Sequence, residues 1–212
     1  MMKRNERKVF ILSGAFHTAV VRMFNKFGYL RTINPEEADA LVFIGGSDIS
    51  PHLYGQEPIL EVDRPDDERD EIESQVYQSF VYQKPMIGIC RGAQLINVLN
   101  DGSLWQHVNH HGSTHEALDI KSKRVLRISS MHHQMMRPGK NAEVFLTANV
   151  ATIFKDHINY IEDSGKIKTK HQDIEGIFYP DTKSLLIQSH PETGPEEHEL
   201  YFFQQIHDKL GI

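Results

Sequence analysis

Short apolar runs recur along the chain, separated by segments with helical spacing. Runs at 9–12, 41–44 and 86–89 consist of apolar residues and glycine, which predicts buried strands. Between the first two runs, large apolar side chains repeat at helical spacing and Gly28 follows as a C-terminal stop. The pattern therefore predicts a helix over about 15–27, with this apolar stripe: Phe16, Val20, Met23, Phe24 and Phe27.

Three further helices are predicted downstream. Pro65 and the acids after it mark a helix N-terminus, and the expected buried stripe is Ile72, Val76 and Phe80. A second helix covers 93–99. The third opens at Pro195 with glutamates in its first turn and ends at Gly211. Its expected apolar side consists of Leu200, Phe203, His207 and Leu210.

The second half contains more strand-like runs, at 125–129, 143–147, 158–161, 174–178 and 185–189. The polar stretch 151–172 predicts a surface hairpin. Strand–helix alternation predicts an α/β fold, a three-layer sandwich in which helices flank a central, mostly parallel sheet. The 212 residues suit a single domain over 1–212, because no repeat or low-complexity linker divides them.

Composition and charge exclude several classes of protein. Hydrophobic residues make up 39% and charged residues 25%, which is typical of globular proteins. The run 61–73 holds eight acids and two arginines, so it carries the whole net charge of −6, and we interpret it as a solvated face and a helix start. Nucleic acid is not expected as a partner, because no broad basic patch exists.

No apolar run approaches the ~18–20 residues of a membrane span, so no membrane association is expected. The apolar stretch behind the basic N-terminus has only four residues, fewer than a secretory signal needs. The chain has a single cysteine, which suits a reducing compartment. These features predict a cytoplasmic protein.

Cys90 lies in Gly88-Ile89-Cys90-Arg91-Gly92, between a predicted strand and a predicted helix. A sharp strand-to-helix turn holds a nucleophile in a strained conformation and leaves no space for side chains two residues away, which explains both glycines. A helix N-terminus also favours the thiolate form of a cysteine. The alternative is a small buried side chain, as most free cysteines are.

A base for this thiol is available in His190-Pro191-Glu192, which follows the predicted strand 185–189. Residues i and i+2 of an extended chain point the same way, so Glu192 can orient the imidazole of His190. Pro191 keeps His190 extended. Cys90, His190 and Glu192 together provide a nucleophile, a base and an orienting carboxylate.

Donors for an oxyanion are expected from two turns. The backbone N–H of Arg91 follows the nucleophile directly. The turn Gly45-Gly46-Ser47-Asp48 follows the second predicted strand, and glycine there lets the backbone approach a ligand. An ordinary turn at a strand end is the alternative for this second segment.

Six sequence blocks, in order, resemble the class I glutamine amidotransferase superfamily, and more narrowly its γ-glutamyl hydrolase-like branch of the peptidase C26 type. The blocks are Gly45–Pro51 with Tyr54-Gly55, Arg69-Asp70-x-x-Glu73, Pro85–Val98 around Cys90, Gly102–Gln106, Ser130-Met131-His132-His133-Gln134 and Gln188–Glu192.

The resemblance implies a flavodoxin-like sandwich that hydrolyses a γ-glutamyl amide, or glutamine, through a thioester on Cys90 without a cofactor. His190 would transfer the proton, and Glu192 would orient the His190 ring. The oxyanion would lie between the N–H groups of Gly46 and Arg91. The resemblance further implies glutamyl-pocket residues and a structural pair. The pocket residues are Gln94, Ser130, His132 and His133, and the structural pair is Arg69 and Asp70.

The sequence departs from the family pattern at three places. Ser189 stands where the family has an aromatic residue, and the region before Gly45 is shorter than usual. The stretch 148–173 lacks a compact Asp-Gly turn before Ile174. These departures affect the specificity for the leaving group and leave the catalytic residues in place.

Four histidines lie close together in sequence: His107, His110, His111 and His115. Their spacing fits no closed metal site, no cysteine accompanies them, and the implied chemistry uses no metal. We therefore predict no metal. His132 and His133 are a possible second pair of general bases. A structural or substrate-contact role is favoured, because His190 already has an orienting carboxylate.

The leading hypothesis is a cysteine-dependent hydrolase of γ-glutamyl amides. One alternative is a glutaminase subunit that delivers ammonia to a separate synthetase, since no synthetase domain is recognisable here. Another is a non-catalytic binding or regulatory protein of the same fold, although Cys90, His190 and Glu192 are all retained. A stress-protein group also shares a cysteine elbow, but usually with a histidine beside it, where this chain has Arg91.

Overall fold

The computed structural model describes residues 6–148, 160–162, 165–167 and 173–212. The helices are α1 (His17–Lys26), α2 (Asp67–Phe80), α3 (Arg91–Leu99) and α4 (Glu196–Leu210). The strands are β1 (Arg7–Ile11), β2 (Tyr29–Thr32), β3 (Ala40–Phe43), β4 (Met86–Ile89), β5 (Ser103–Trp105), β6 (His107–Val108), β7 (His115–Asp119), β8 (Val125–Ile128), β9 (Met135–Arg137), β10 (Glu143–Ala148), β11 (Tyr160–Glu162), β12 (Gly165–Ile167), β13 (Asp173–Tyr179) and β14 (Ser184–Ile187).

Within these ranges, nine strands form one sheet in the order β2-β1-β3-β4-β14-β13-β10-β7-β8. The first five are parallel neighbours, and the other four join by antiparallel pairing. In β3, β4 and β14 every residue is buried, because helices cover both faces of the parallel half. Strands β10 and β8 again run in the direction of β14, so the sheet is mixed but mostly parallel.

Helices α1 and α4 pack on one face of the sheet, and α2 and α3 pack on the other. The first face buries Phe24 and Phe202 against β1 and β3, and the second buries Tyr77 and Ile96 against β3 and β4. This arrangement confirms the predicted α/β sandwich. Among the described residues, no helix combines the length and the apolar character that crossing a bilayer requires.

Three helix predictions need correction. Phe16 is not on the apolar stripe of α1: it precedes the helix with φ 59° and is 45% exposed. In α2 the predicted buried stripe is wrong at Ile72, which is exposed, whereas Asp70 and Glu73 are buried. In α4, Leu200 and His207 are exposed, because the face toward the sheet is formed by other residues: Tyr201, Phe202, Phe203 and Ile206.

The polar stretch 151–172 was predicted as a surface hairpin. Within it, β11 and β12 pair antiparallel, with Tyr160 opposite Ile167, and β11 also pairs with β6. The rest of the stretch lies outside the described residues.

Candidate active site

Cys90 forms the turn between β4 and α3. Its backbone has φ 52° and ψ −113°, a strained conformation for a residue with a side chain. The turn is fixed on both sides, because the Cys90 N–H donates to the carbonyl of Ile187 at 2.9 Å and its carbonyl accepts from Gln94 at 3.0 Å. Strain of this kind persists only where the surroundings impose it, and it is common at functional sites.

The glycines on either side of Cys90 are required by close backbone approaches. A Cβ on Gly88 would lie 2.6 Å from Cα of Ala93, and a Cβ on Gly92 would lie 2.3 Å from the carbonyl oxygen of Phe43. These distances are far below any real Cβ contact. The structure therefore agrees with the steric interpretation of the glycine pattern.

His190 and Glu192 follow β14, the strand next to β4. Nδ1 of His190 lies 2.7 Å from Oε1 of Glu192, and both side chains are buried. The N–H of His190 donates to the carbonyl of Ser129 at 2.9 Å, which fixes the backbone. A neutral ring therefore carries its proton on Nδ1 and leaves Nε2 for the thiol of Cys90.

Electrostatics couple His190 to Cys90. Burial alone would lower the pKa of His190, but the charge and hydrogen bond of Cys90, together with Glu192, outweigh burial and raise that pKa to about 10. An imidazolium at His190 at neutral pH is the partner that a cysteine thiolate needs. By contrast, burial lowers the pKa of His198 to about 4.

We expect His190 to remain protonated at pH 8, because its folded-state pKa is raised. The stabilisation that its charge contributes is fully present below the ordinary histidine pKa of ~6.5 and is lost as pH rises through about 10. NMR titration of side-chain-labelled histidine measures this directly. Removing the thiol in Cys90→Ala lowers the His190 pKa, while His198 stays neutral in both proteins and serves as the internal control. A His190 pKa that Cys90→Ala leaves unchanged contradicts the coupling.

The Gly45-Gly46 turn forms the wall opposite the nucleophile. A Cβ on Gly45 would lie 3.0 Å from Cε1 of His190 and 3.9 Å from Cβ of Cys90. A Cβ on Gly46 would lie 2.0 Å from Nη1 of Arg69 and 3.0 Å from Cδ of Arg91. The turn predicted as an oxyanion-hole segment therefore lies beside Cys90 and His190.

Arg69 holds this turn from α2. Its Nη1 donates to the carbonyl of Gly45 at 3.2 Å and its Nη2 donates to that of Ile44 at 3.1 Å. Its Nε donates to Oε1 of Glu73 at 2.8 Å. The structural role that the resemblance implied for Arg69 is consistent with these contacts.

A buried ion-pair network ties α2 to the cysteine turn. The Arg91 side chain is 1% exposed and pairs with Oδ1 of Asp70 at 2.5 Å and with Oε2 of Glu73. Oδ2 of Asp70 accepts the N–H of Ser50 at 2.9 Å. The interpretation of 61–73 as a solvated face is therefore wrong for Asp70 and Glu73, which neutralise a buried arginine.

The residues predicted for the glutamyl pocket occupy connected positions. Gln94 is buried and donates from Nε2 to the carbonyl of Gln134 at 3.2 Å, which links α3 to the 130–134 segment. Ser130 is buried and donates to the carbonyl of His111 at 2.5 Å. His133 is partly exposed, and its Nε2 lies 3.1 Å from Oδ1 of Asp48, whose hydrogen bond raises the pKa of His133.

His132 points away from solvent into a buried cluster. Its Nε2 lies 3.4 Å from Oε1 of Glu175, and its Nδ1 lies 2.8 Å from the carbonyl of Gln134. His111 and His115 approach the same carboxylate oxygen at 3.2 Å each. His107 lies elsewhere, with Nδ1 3.3 Å from Nδ1 of His133. Of the histidines that are neighbours in sequence, His111 and His115 therefore meet at Glu175, whereas His107 contacts His133.

Sequence reasoning missed two groups beside His190. Phe16 contacts the His190 ring edge-on, with centroids 5.4 Å apart, and its backbone has φ 59°. Ser189 lies 3.0 Å from Nε2 of His198, and Nδ1 of His198 accepts the N–H of Ser129 at 3.3 Å. This pair supports the strand that carries His190. Their positions beside His190 are not visible in the local sequence, in which Phe16 belongs to a predicted helix stripe and Ser189 only departs from the family pattern.

The comparisons with known proteins assign the chain to the class I glutamine amidotransferase superfamily. It is 32% identical over 167 residues to the glutamine amidotransferase-like protein YvdE of Lactococcus lactis, covering 76% of this chain and 69% of that one. A glutamine amidotransferase structure from Thermotoga maritima shares the fold, with a TM-score of 0.58 at 13% identity over 98% of this chain and 86% of that one.

Within that superfamily the chain belongs to the peptidase C26 family, whose model matches residues 29–192. A further relative is the carbamoyl phosphate synthase small chain of Archaeoglobus fulgidus, which is 30% identical over 122 residues. That match covers 57% of this chain and 29% of the relative.

Proposed function

We propose that this protein is a cysteine-dependent hydrolase of γ-glutamyl amides, with Cys90 as nucleophile, His190 as base and acid, and Glu192 as the orienting carboxylate. The observation that carries the proposal is the pairing of a strained cysteine at the start of α3 with a buried His190 whose Nδ1 is held 2.7 Å from Glu192. Membership of the peptidase C26 family supports the same reaction class.

In the first half of the reaction, the Cys90 thiolate attacks the γ-carbonyl carbon of the substrate. The carbonyl electrons move to oxygen, and the N–H groups of Gly46 and Arg91 are proposed to stabilise that oxyanion. When the intermediate collapses, the C–N bond breaks and the His190 imidazolium donates its Nε2 proton to the leaving amine. A γ-glutamyl thioester remains on Cys90.

In the second half, neutral His190 takes a proton from water, and the resulting hydroxide attacks the thioester carbonyl. The C–S bond then breaks, which releases glutamate and restores the thiolate–imidazolium pair. Glu192 holds the ring in one orientation through both halves, because its bond to Nδ1 is present whether or not Nε2 is protonated.

Recognition of the glutamyl group is proposed for Gln94, Ser130 and His133, with the buried His132, which was also predicted as a pocket residue, supporting the 130–134 segment from behind. Gln94 reaches this segment through its bond to the carbonyl of Gln134, which links the two predicted pocket pieces. His133 is the partly exposed member, and Asp48, two residues after Gly46, orients it. We therefore place His133 on the leaving-group side of the pocket.

The second candidate is a glutaminase subunit that supplies ammonia to a separate synthetase. The observation that favours it is the similarity to the small chain of carbamoyl phosphate synthase. In that case the chain hydrolyses glutamine with the same residues, and the partner polypeptide shapes or triggers the site.

Steady-state kinetics with the purified protein alone distinguish the two candidates. The substrates are glutamine, γ-glutamyl-γ-aminobutyrate and a small panel of γ-glutamyl amines, with products identified by mass spectrometry. We expect a higher kcat/KM on a γ-glutamyl amide other than glutamine, because the chain's own contacts hold the carbonyls of Ile44 and Gly45 and both sides of the Cys90 turn.

A different outcome would support the glutaminase subunit instead. Inactivity on every substrate, followed by glutamine hydrolysis once a synthetase that co-purifies with the chain is added, overturns the stand-alone hydrolase and supports the subunit. Labelling with a glutamine-like chloroketone provides an independent check, since either enzyme gives a single adduct on Cys90. A non-catalytic protein of this fold gives no such adduct.

A further inference from the structure

A buried cluster of histidines and carboxylates lies in the antiparallel half of the sheet. Glu175 on β13 is fully buried, and three imidazole nitrogens surround its Oε1: Nδ1 of His111 at 3.2 Å, Nε2 of His115 at 3.2 Å and Nε2 of His132 at 3.4 Å. Asp173 lies at the edge, with Oδ2 3.9 Å from Nε2 of His111.

Hydrogen bonds on the far side of two rings determine where their protons are. Nδ1 of His115 lies 3.0 Å from the carbonyl of Ser113, and Nδ1 of His132 lies 2.8 Å from that of Gln134. A carbonyl only accepts, so Nδ1 carries the proton in both rings. In the neutral form of each ring, Nε2 then directs a lone pair at Glu175.

With all three rings neutral, lone pairs of ring nitrogens face those of Glu175; a proton on Nε2 of His115 would satisfy one of these contacts only, as a 3.2 Å hydrogen bond. Among the described residues, both ring nitrogens of His111 and Nε2 of His132 are buried without a hydrogen-bond partner. Buried polar atoms of this kind call for a bound ion or water. Protonating all three rings instead would bury three positive charges within 3.4 Å of one carboxylate oxygen, at a large desolvation cost.

We propose that His111, His115 and Glu175 bind a divalent transition-metal ion, with His132 as a fourth ligand and Zn²⁺ as the best match. One such ion uses the lone pairs that meet at Oε1 of Glu175, and its charge balances Glu175 together with Asp173. The candidate ligand atoms of His111, His115 and Glu175 all lie within 4.8 Å of one another. Two or more imidazoles with a carboxylate are a common ligand set for zinc.

The nitrogen-to-oxygen distances match those of a zinc site, and binding would draw the ligand atoms, now spread over up to 4.8 Å, closer together. Tetrahedral zinc, with bonds of ~2.0–2.1 Å, separates its ligand atoms by about 3.3 Å. The three nitrogen-to-oxygen distances are 3.2, 3.2 and 3.4 Å. The bonds from Nδ1 of His115 and His132 to backbone carbonyls are the outer contacts that orient metal-binding histidines.

The site is structural and is separate from the reaction at Cys90. It joins the loop before β7, the 130–134 segment and β13 at one point. The carbonyl of Glu175 also accepts the N–H of Gln188, two residues before His190. A bound ion therefore fastens the proposed glutamyl pocket to the strand pair that carries the base.

The test is titration of the chelator-treated full chain with Zn²⁺ and with Co²⁺, followed by calorimetry and visible absorption. We expect one ion per chain, the absorption of tetrahedral Co²⁺ with nitrogen and oxygen ligands, and a higher unfolding temperature with Zn²⁺. Repeating the titration on Cys90→Ala separates this site from metal binding at the thiol, and the expected result is unchanged there.

Ligand variants locate the site. His115→Ala and Glu175→Gln should each weaken Zn²⁺ binding by more than the ~10–100-fold that loss of an outer contact costs. His207→Ala, at an exposed histidine of α4, is the matched control and keeps full affinity. If the ligand variants do not fold, X-ray absorption of the zinc-loaded wild type decides, with nitrogen and oxygen neighbours expected. A millimolar Kd, a sulfur neighbour, or binding that only Cys90→Ala removes overturns the proposal.

Discussion

Cys90→Ser and Cys90→Ala are expected to abolish turnover of the preferred γ-glutamyl amide, with a loss in kcat of about 10⁴-fold or more. A serine hydroxyl in this turn is a far weaker nucleophile than a thiolate paired with the His190 imidazolium, and alanine provides none. Both variants should fold, because Cys90 fills little of the core. Turnover within tenfold of wild type in either variant excludes the triad.

The same position offers a control that separates strain from chemistry. At φ 52° and ψ −113° a residue with a side chain is strained, whereas glycine adopts this region freely. Cys90→Gly is therefore expected to be inactive yet more stable than Cys90→Ala by about 1 kcal/mol in urea unfolding. Equal stability of the two variants means that the turn stores no strain for the nucleophile.

Substitutions of the two partners of Cys90 should reduce activity to different extents. His190→Ala is expected to be nearly as damaging as loss of the thiol, because members of one catalytic unit are not additive. Glu192→Gln is milder, since the amide oxygen still accepts a bond from Nδ1 of His190. A greater loss in Glu192→Gln than in His190→Ala reverses the assigned roles.

The largest effect on stability is expected from Arg91→Met, which removes the cation between two buried carboxylates. Asp70 and Glu73 are each 2% exposed, and the loss leaves their charges inadequately paired. Breaking one side of a buried ion pair costs about 3–5 kcal/mol, so the free energy of unfolding in urea should fall by that amount. Activity should fall too, because the Arg91 N–H is a proposed oxyanion donor on the same turn.

Two further variants test whether unpaired charge causes this loss of stability. Arg124→Met removes an exposed arginine whose pair with Glu197 is 3.8 Å long, and it should change stability by less than about 0.5 kcal/mol. Adding Asp70→Asn to Arg91→Met should recover part of the loss, since it neutralises the carboxylate left without a cation while Glu73 keeps its ion pair with Arg69. A double variant less stable than Arg91→Met contradicts a charge-based explanation.

Local sequence determined the elements that form the parallel half of the sheet, except the edge strand β2 (Tyr29–Thr32), which was not predicted. Runs such as 41–44 and 86–89 are apolar because helices cover both faces of those strands, and the strands appear within a residue or two of the predicted bounds. Gly28 and Gly211 end their helices with φ 84° and 72°. The glycines around Cys90 were likewise informative, since close backbone contact acts on neighbours in sequence.

The faces of helices were decided by tertiary contacts. Periodicity favoured Ile72 as a core residue of α2, but the helix turns Asp70 and Glu73 inward toward Arg91. A hydrophobic pattern cannot anticipate this, because burying a carboxylate is favourable only when a partner from a different element neutralises it. The position of Arg91 near that face is a property of the fold.

The histidines show most clearly which features follow from local sequence and which follow from the fold. The spacing of His107, His110, His111 and His115 contains no closed set of ligands, and sequence alone gave no reason to add more distant residues. Sheet pairing brings Glu175 to His111 and His115 from 60 or more positions away. Sequence by itself determined the superfamily, the nucleophile turn and the candidate base, because those motifs are local. Only the tertiary structure decided which carboxylates meet which cations and imidazoles, because charges pair through space.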